Sequence, residues 1–124
     1  MLRDNDAIAT LAVRNLKTAT EFYEGKLGLT VDSGDGKQVV TYKSGNCAIL
    51  VYESKFAGTN QATAMTWSVD DVGAIVSDLK NKGVTFEKYD FPGITHEGDV
   101  HVFGTRKNAW FKDPDGNILS IVNK

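Results

Sequence analysis

Cysteine occurs once in this chain, at Cys47, so no disulfide can form within it. The thiol lies in the apolar run Cys47–Val51 and reads as a small buried core group; no neighbour in sequence would lower its pKa and make it a nucleophile. Arginine is nearly as scarce, with Arg3, Arg14 and Arg106 alone, and the formal net charge is −2. Without a basic stripe, phosphate-dominated binding to nucleic acid is excluded. No apolar run approaches the roughly 18–20 residues of a membrane-spanning helix. Met1–Asp6 carries no apolar stretch of the kind that directs secretion, so the expected location is the cytoplasm. A phosphate cradle is lacking too, because Gly93, Gly98 and Gly104 do not lead from a strand into a helix.

What is present is patterned twice. With 124 residues, 41% of them apolar, the chain can build one domain with a real core. "LAVRNLKTATEFYEGKLGLTV" (Leu11–Val31) resembles "WSVDDVGAIVSDLKNKGVTF" (Trp67–Phe86), and "SGNCAILVYE" resembles "PDGNILSIVN" further on. Two matches in the same order point to an internal duplication. Val72, Ile75, Val76 and Leu79 recur at i, i+3, i+4 and i+7, which predicts a helix with one buried stripe. Leu16, Ala19, Tyr23 and Leu27 predict another. Asn15 and Asp71 are suitable N-caps, and Gly28 and Gly83 follow the last turns. Strands are expected at Ala7–Val13, Leu29–Ser33, Gln38–Lys43 and Asn46–Glu53, then at Ala62–Val69, Val84–Tyr89, Lys107–Lys112 and Asn117–Asn123. Asp113-Pro114-Asp115-Gly116 reads as the tight turn between the last two. The expected class is α+β: two tandem β-α-β-β-β modules, about 1–53 and 62–124, in one domain, with Ser54–Gln61 as linker. Phe91–Thr105 reads as a long polar loop, a common place for function.

The paired β-α-β-β-β order, the stretch FYEGKLGL and the turn DPDGN together resemble the vicinal oxygen chelate superfamily, which holds glyoxalase, extradiol dioxygenase, fosfomycin resistance and bleomycin resistance proteins. The resemblance implies two half-barrel modules enclosing a cleft, commonly in a homodimer. It also implies up to four metal ligands, usually His and Glu, one on the first and one on the last strand of each module. Carried over, those positions are Ile8, Ile49, Ala64 and Ser120. None is His or Glu, whereas a zinc, nickel or iron site needs about three or more N, O or S ligands. No metal or other cofactor is therefore expected there.

Alternation of side chains puts Ser120 on one face with Ile118 and Val122. The cleft implied by the resemblance would add Ile8, Thr10, Ala12, Ile49, Ala64, Thr66 and Ser68, a neutral wall of small groups suited to an uncharged or flat aromatic ligand. Trp110 reads either as a stacking platform, since an aromatic at the matching place contacts substrate in the fosfomycin resistance branch, or as a core or dimer-contact tryptophan. Trp67 reads as core, facing the helix. Tyr42 and Tyr52 end strands near the cleft mouth and are either hydroxyl donors or surface-ladder residues. His96 and His101 lie in "GITHEGDVHVFGT". Their spacing is not the helical H-E-x-x-H zinc motif. They are either solvated loop residues or, if the loop folds over the cleft, weak catalytic candidates for acid–base chemistry. Arg106 and Lys107 could pair with an acidic group on a ligand.

Three functions fit these readings. The first is a metal-free protein that binds a small neutral or aromatic molecule, of the drug- or metabolite-binding and resistance type. The second is a small-molecule enzyme of the same family working without metal through the His96–His101 loop. The third is such an enzyme, of lyase, isomerase or dioxygenase type, with a non-standard metal site in that loop.

Overall fold

A computed structural model describes the whole chain, Met1–Lys124, which divides into two compact units, Met1–Thr59 and Asn60–Lys124. In the first unit, strand β1 (Ala9–Val13) leads to a short helix α1 (Leu16–Thr20), then to β2 (Thr30–Gly34), β3 (Val39–Ser44) and β4 (Cys47–Glu53). The sheet order is β1-β4-β3-β2, with β1 parallel to β4 and the other pairs antiparallel. One face carries Leu11, Val13, Val40, Tyr42, Ile49 and Val51, all buried, and forms the core with Leu16, Ala19, Phe22 and Tyr23.

α1 starts where its orphan donors find acceptors: Asn15 Oδ1 takes the Thr18 N–H at 3.0 Å and Glu53 Oε2 takes the Leu16 N–H at 2.9 Å. After Thr20 the helix widens into a π turn over Glu21–Lys26, seen in the Leu27 N–H to Phe22 carbonyl bond of 3.0 Å. The wider turn breaks the 3.6-residue stripe, so Phe22 joins Tyr23 in the core while Leu27, expected there, is only half-buried. Gly28, at φ 74°, then lets the Leu29 N–H close on the Tyr23 carbonyl at 3.0 Å. Cys47, expected to be buried, is exposed, because it opens β4 directly after the Gly45 turn.

The second unit repeats the plan with an insertion. Its elements are β5 (Thr63–Val69), α2 (Val72–Asn81), β6 (Phe86–Glu87), β7 (Thr95–Glu97), β8 (Val100–Phe103), β9 (Arg106–Lys112) and β10 (Ile118–Asn123). The order is β5-β10-β9-β8-β7, with β5 parallel to β10, and β6 also pairs with β9. Asp71 caps α2 by accepting the Ala74 N–H at 3.0 Å. Val72, Val76 and Leu79 are buried where α2 packs on β8, β9 and β10, while Ile75 stands at the border of the stripe, 37% exposed. Trp67 is on the core face, stacked on Phe111 with centroids 6.3 Å apart.

The expected strand Val84–Tyr89 is reduced to Phe86–Glu87, and the expected loop 91–105 contains the β7–β8 hairpin. One competition explains both. β6 pairs Phe86 with Phe111 and Glu87 with Trp110, so continuing it would bring Tyr89 opposite Asn108. That position is taken by His101 of β8. β6 and β8 thus lie end to end along the same edge of β9, and the chain leaves the sheet at Lys88.

Candidate ligand-binding site

The face of the second sheet turned away from α2 is built by register. Ser120 lies between Trp110 on β9 and Thr66 on β5; Val122 lies between Asn108 and Ser68. His101 extends the second row opposite Asn108, and His96 extends it again opposite His101. Ser120 is 2% exposed and shares a 2.6 Å hydrogen bond with the hydroxyl of Thr66, which is exposed. The Trp110 indole N–H reaches over β10 to the Thr63 hydroxyl at 3.2 Å. Hydroxyls and indole thus form one patch without a charge at its centre.

Aromatic rings surround Trp110. His101 meets it edge-on at 4.8 Å, Tyr89 edge-on at 5.3 Å and Phe91 tilted at 6.0 Å; Phe103 lies 6.4 Å from Phe91. Phe91 and Phe103 are 45% and 38% exposed, so the cluster is open to solvent on one side. Sequence reading singled out Trp110 and missed Tyr89, Phe91 and Phe103. The signal was four aromatics within Tyr89–Trp110, two of them, Phe91 and Phe103, in the stretch read as a polar loop.

Two imidazoles fasten this cluster. His101 is 0% exposed, and its Nε2 accepts the Tyr89 backbone N–H at 2.9 Å. His96, exposed, uses its Nε2–H on the Tyr89 carbonyl at 3.0 Å. The rings stand 4.7 Å apart. Burial, and secondarily the neighbouring His96, hold His101 below the ordinary imidazole value, with backbone groups of Asn108, Tyr89 and Asp99 acting in the opposite sense. The solvated-loop reading is therefore wrong for His101, which is a core residue of β8, and neither imidazole has a free Nε2 to offer a substrate.

Other expected wall residues separate. Ile49 and Tyr42 lie on the helix-packed face of the first sheet, not on an open wall: Tyr42 stacks on Tyr23 at 6.1 Å and its hydroxyl donates to Glu24 Oε2 at 2.8 Å. Placing Ile49 by its distance from Gly45 misjudged the face by one residue, because Leu50 is the residue paired with Thr10. Thr10, Ala12 and Tyr52 share the opposite face of that sheet, and the Thr10 hydroxyl donates to the Ile8 carbonyl at 3.2 Å. In the second unit Thr66, Ser68, Ser120 and Trp110 come together as described.

The positions that ligate metal by resemblance do not fit an ion. Ile49 is in the core with Leu50 in its place, Ile8 and Ala64 offer only hydrocarbon, and the Ser120 hydroxyl is already bonded to Thr66. The loop does not substitute: Asp99 binds Lys80 at 2.6 Å, both imidazoles bind Tyr89, and no three His, Cys, Asp or Glu side chains are gathered as a ligand set.

Two β-α-β-β-β units, each closed by parallel pairing of first and last strands, define the α+β fold of the glyoxalase and bleomycin resistance proteins. The model of the Glyoxalase/Bleomycin resistance protein/Dioxygenase superfamily matches residues 6–121, and the chain belongs to that superfamily. Among solved structures, a bleomycin resistance determinant encoded on a transposon is 18% identical, with 97% of this chain and 98% of that one covered at a TM-score of 0.72. A genomically encoded fosfomycin resistance protein from Listeria monocytogenes is 15% identical, covering 97% and 93% at 0.72. Lactoylglutathione lyase from Agrobacterium tumefaciens is 17% identical, covering 96% and 92% at 0.71. At such identities the likeness speaks for the fold alone. No curated protein sequence matches the chain. No helix is long and apolar enough to cross a membrane.

Proposed function

We propose that this protein binds a small neutral or aromatic molecule against Trp110, without a metal, as a drug- or metabolite-binding member of its superfamily. The observation that carries this reading is the part-open aromatic cluster around Trp110 beside the Thr66–Ser120 hydroxyl pair. Stacking and apolar burial would supply most of the affinity. Thr66, being exposed, would present the orienting hydroxyl, with the buried Ser120 fixing its rotamer. A homodimer in the cytoplasm is the expected setting.

The test is calorimetric titration with a ligand identified by thermal-shift screening of uncharged aromatic compounds. Trp110→Ala should weaken binding by more than about tenfold, which corresponds to about 1.4 kcal/mol. Unchanged affinity in a folded Trp110→Ala protein would refute the assignment and leave Trp110 a structural residue.

A further inference from the structure

We propose that His96 and His101 are positioning residues: together they clip the Tyr89 backbone, hold the aromatic cluster around Trp110 in place, and release it on acidification. The bearing of the clip on ligand binding rests on the function proposed above; the clip itself does not.

The segment after β6 has lost its place in the sheet to β8, so the Tyr89 N–H and C=O have no strand to pair with. The N–H is part-buried and needs a partner there, while the carbonyl meets His96 at the surface. The two imidazoles supply the partners, one as acceptor and one as donor, at 2.9 and 3.0 Å. The roles dictate protonation. A carbonyl only accepts, so His96 Nε2 carries a proton. A backbone N–H only donates, so His101 Nε2 carries none, and the neutral His101 ring has its proton on Nδ1. Nδ1 is buried and makes no hydrogen bond of its own.

Protonating His101 therefore sets N–H against N–H at Tyr89 and places a charge beside the His96 ring, 4.7 Å away between ring centres. The other charged groups on the surrounding elements do not compensate. Glu97 of β7 is held by Lys107 of β9 at 3.5 Å, Asp99 by Lys80 of α2 at 2.6 Å, and Glu87 of β6 by Lys112 at 3.4 Å. Lys88 and Asp90, flanking Tyr89, are exposed and opposite in sign, and Arg106 at the start of β9 is exposed. His101 is held below its ordinary value in the folded state. The clip is thus fully made above the ordinary imidazole range, near pH 6.5, and is lost as pH falls through the lower folded value. Losing it frees Tyr89, whose ring stands on Trp110 at 5.3 Å, and with it Phe91.

The experiment uses the full chain with Trp67→Phe, which leaves Trp110 as the reporter since the chain has two tryptophans. Trp110 emission is followed from about pH 8 to pH 4.5 with circular dichroism as the check on folding, and N-phenylnaphthylamine serves as a neutral aromatic probe. Expected is one emission transition below about pH 6.5, with probe affinity falling about tenfold across it. His101→Gln, whose amide oxygen can accept the Tyr89 N–H and does not titrate, should keep the Tyr89 amide protected at neutral pH and lose the transition. A transition that persists in His101→Gln, or is absent from the parent, overturns the proposal. Should His101→Gln not fold, nitrogen NMR of the parent decides: a proton on His101 Nδ1 at neutral pH supports the clip, and one on Nε2 overturns it. Because His101 itself touches Trp110, exchange of the Tyr89 amide proton is followed as well: its protection lost through the same transition, in a protein that binds no aromatic probe, supports the clip and counts against the ligand reading alone, and a Tyr89 amide that stays protected throughout overturns the clip.

Discussion

Tyr42→Phe removes one oxygen from a side chain that is fully buried and stacked on Tyr23. The ring and its packing survive, so the substitution isolates the 2.8 Å bond to Glu24 Oε2. A hydrogen bond to a charged acceptor contributes about 1.5–3 kcal/mol. Glu24 is exposed and can return to water once its partner is gone, which places the expected loss just below that range, about 1–1.5 kcal/mol. Urea unfolding of the parent, Tyr42→Phe, Glu24→Gln and the double variant yields the coupling directly. The phenol itself carries a second signature. Burial, then the Glu24 carboxylate, push it well above the ordinary tyrosine value of 10.0, so the Tyr42 phenol should still be neutral at pH 10 in an absorbance titration read against Tyr42→Phe. A raised phenol favours the neutral form in the folded state. Its contribution is full below about pH 10 and is lost as pH rises further, so the parent should lose stability in alkali faster than Tyr42→Phe. A coupling below about 0.3 kcal/mol, or a Tyr42 that ionises at the ordinary tyrosine value of 10.0, would refute the assignment of this bond.

Leu79→Ala should cost about 2–5 kcal/mol by urea unfolding and Ile75→Ala under about 1.5, because only Leu79 is fully within the α2 stripe; equal costs would mean the helix face is misplaced. Asp113→Ala should cost about 2–4 kcal/mol by the same assay, since the carboxylate accepts the Asp115 and Asn117 N–H groups at 3.0 and 2.8 Å and the Asn117 amide at 2.7 Å. Stoichiometric Zn²⁺, Ni²⁺, Mn²⁺ or Fe²⁺ should leave the melting temperature of the parent and of Ser120→Glu unchanged; a saturable rise of several degrees in either would refute the reading of those positions.

The duplication and both helix starts were legible because each has a local cause: Asn15 and Asp71 cap with their own side chains, and the α2 stripe follows a single period. The end of the first stripe was not legible, since a π turn leaves no mark in a pattern of apolar residues until Phe22 is seen beside Tyr23 in the core. Tyr42 was misassigned because period-two alternation names two faces without saying which one the helix covers. The β7–β8 hairpin was hidden by its composition. Its two turns, Gly98-Asp99 and Gly104-Thr105, are local signals, but the flanking stretches are short and carry Thr, His and Glu, so no sustained apolar alternation marked them as strands. Trp110 and Ser120 could each be singled out, but their pairing across β9 and β10 came only with the register.

Parallel pairing of first and last strands has a consequence for the order in which the chain is made. β1 meets β4 with Ala9 beside Ile49, but β5 must wait for Ser120, 54 residues after Thr66, before its ladder can form. At a synthesis rate of roughly 5–20 residues per second, that wait is about 3–11 s, long compared with the microseconds of hairpin closure. Throughout it the nascent β5 presents an unpaired backbone to other chains. One face of it, Thr66 and Ser68, is hydroxylated and exposed even in the finished protein, so the apolar area open to a passing strand is confined to the face of Met65, Trp67 and Val69, which α2 and its neighbours later cover.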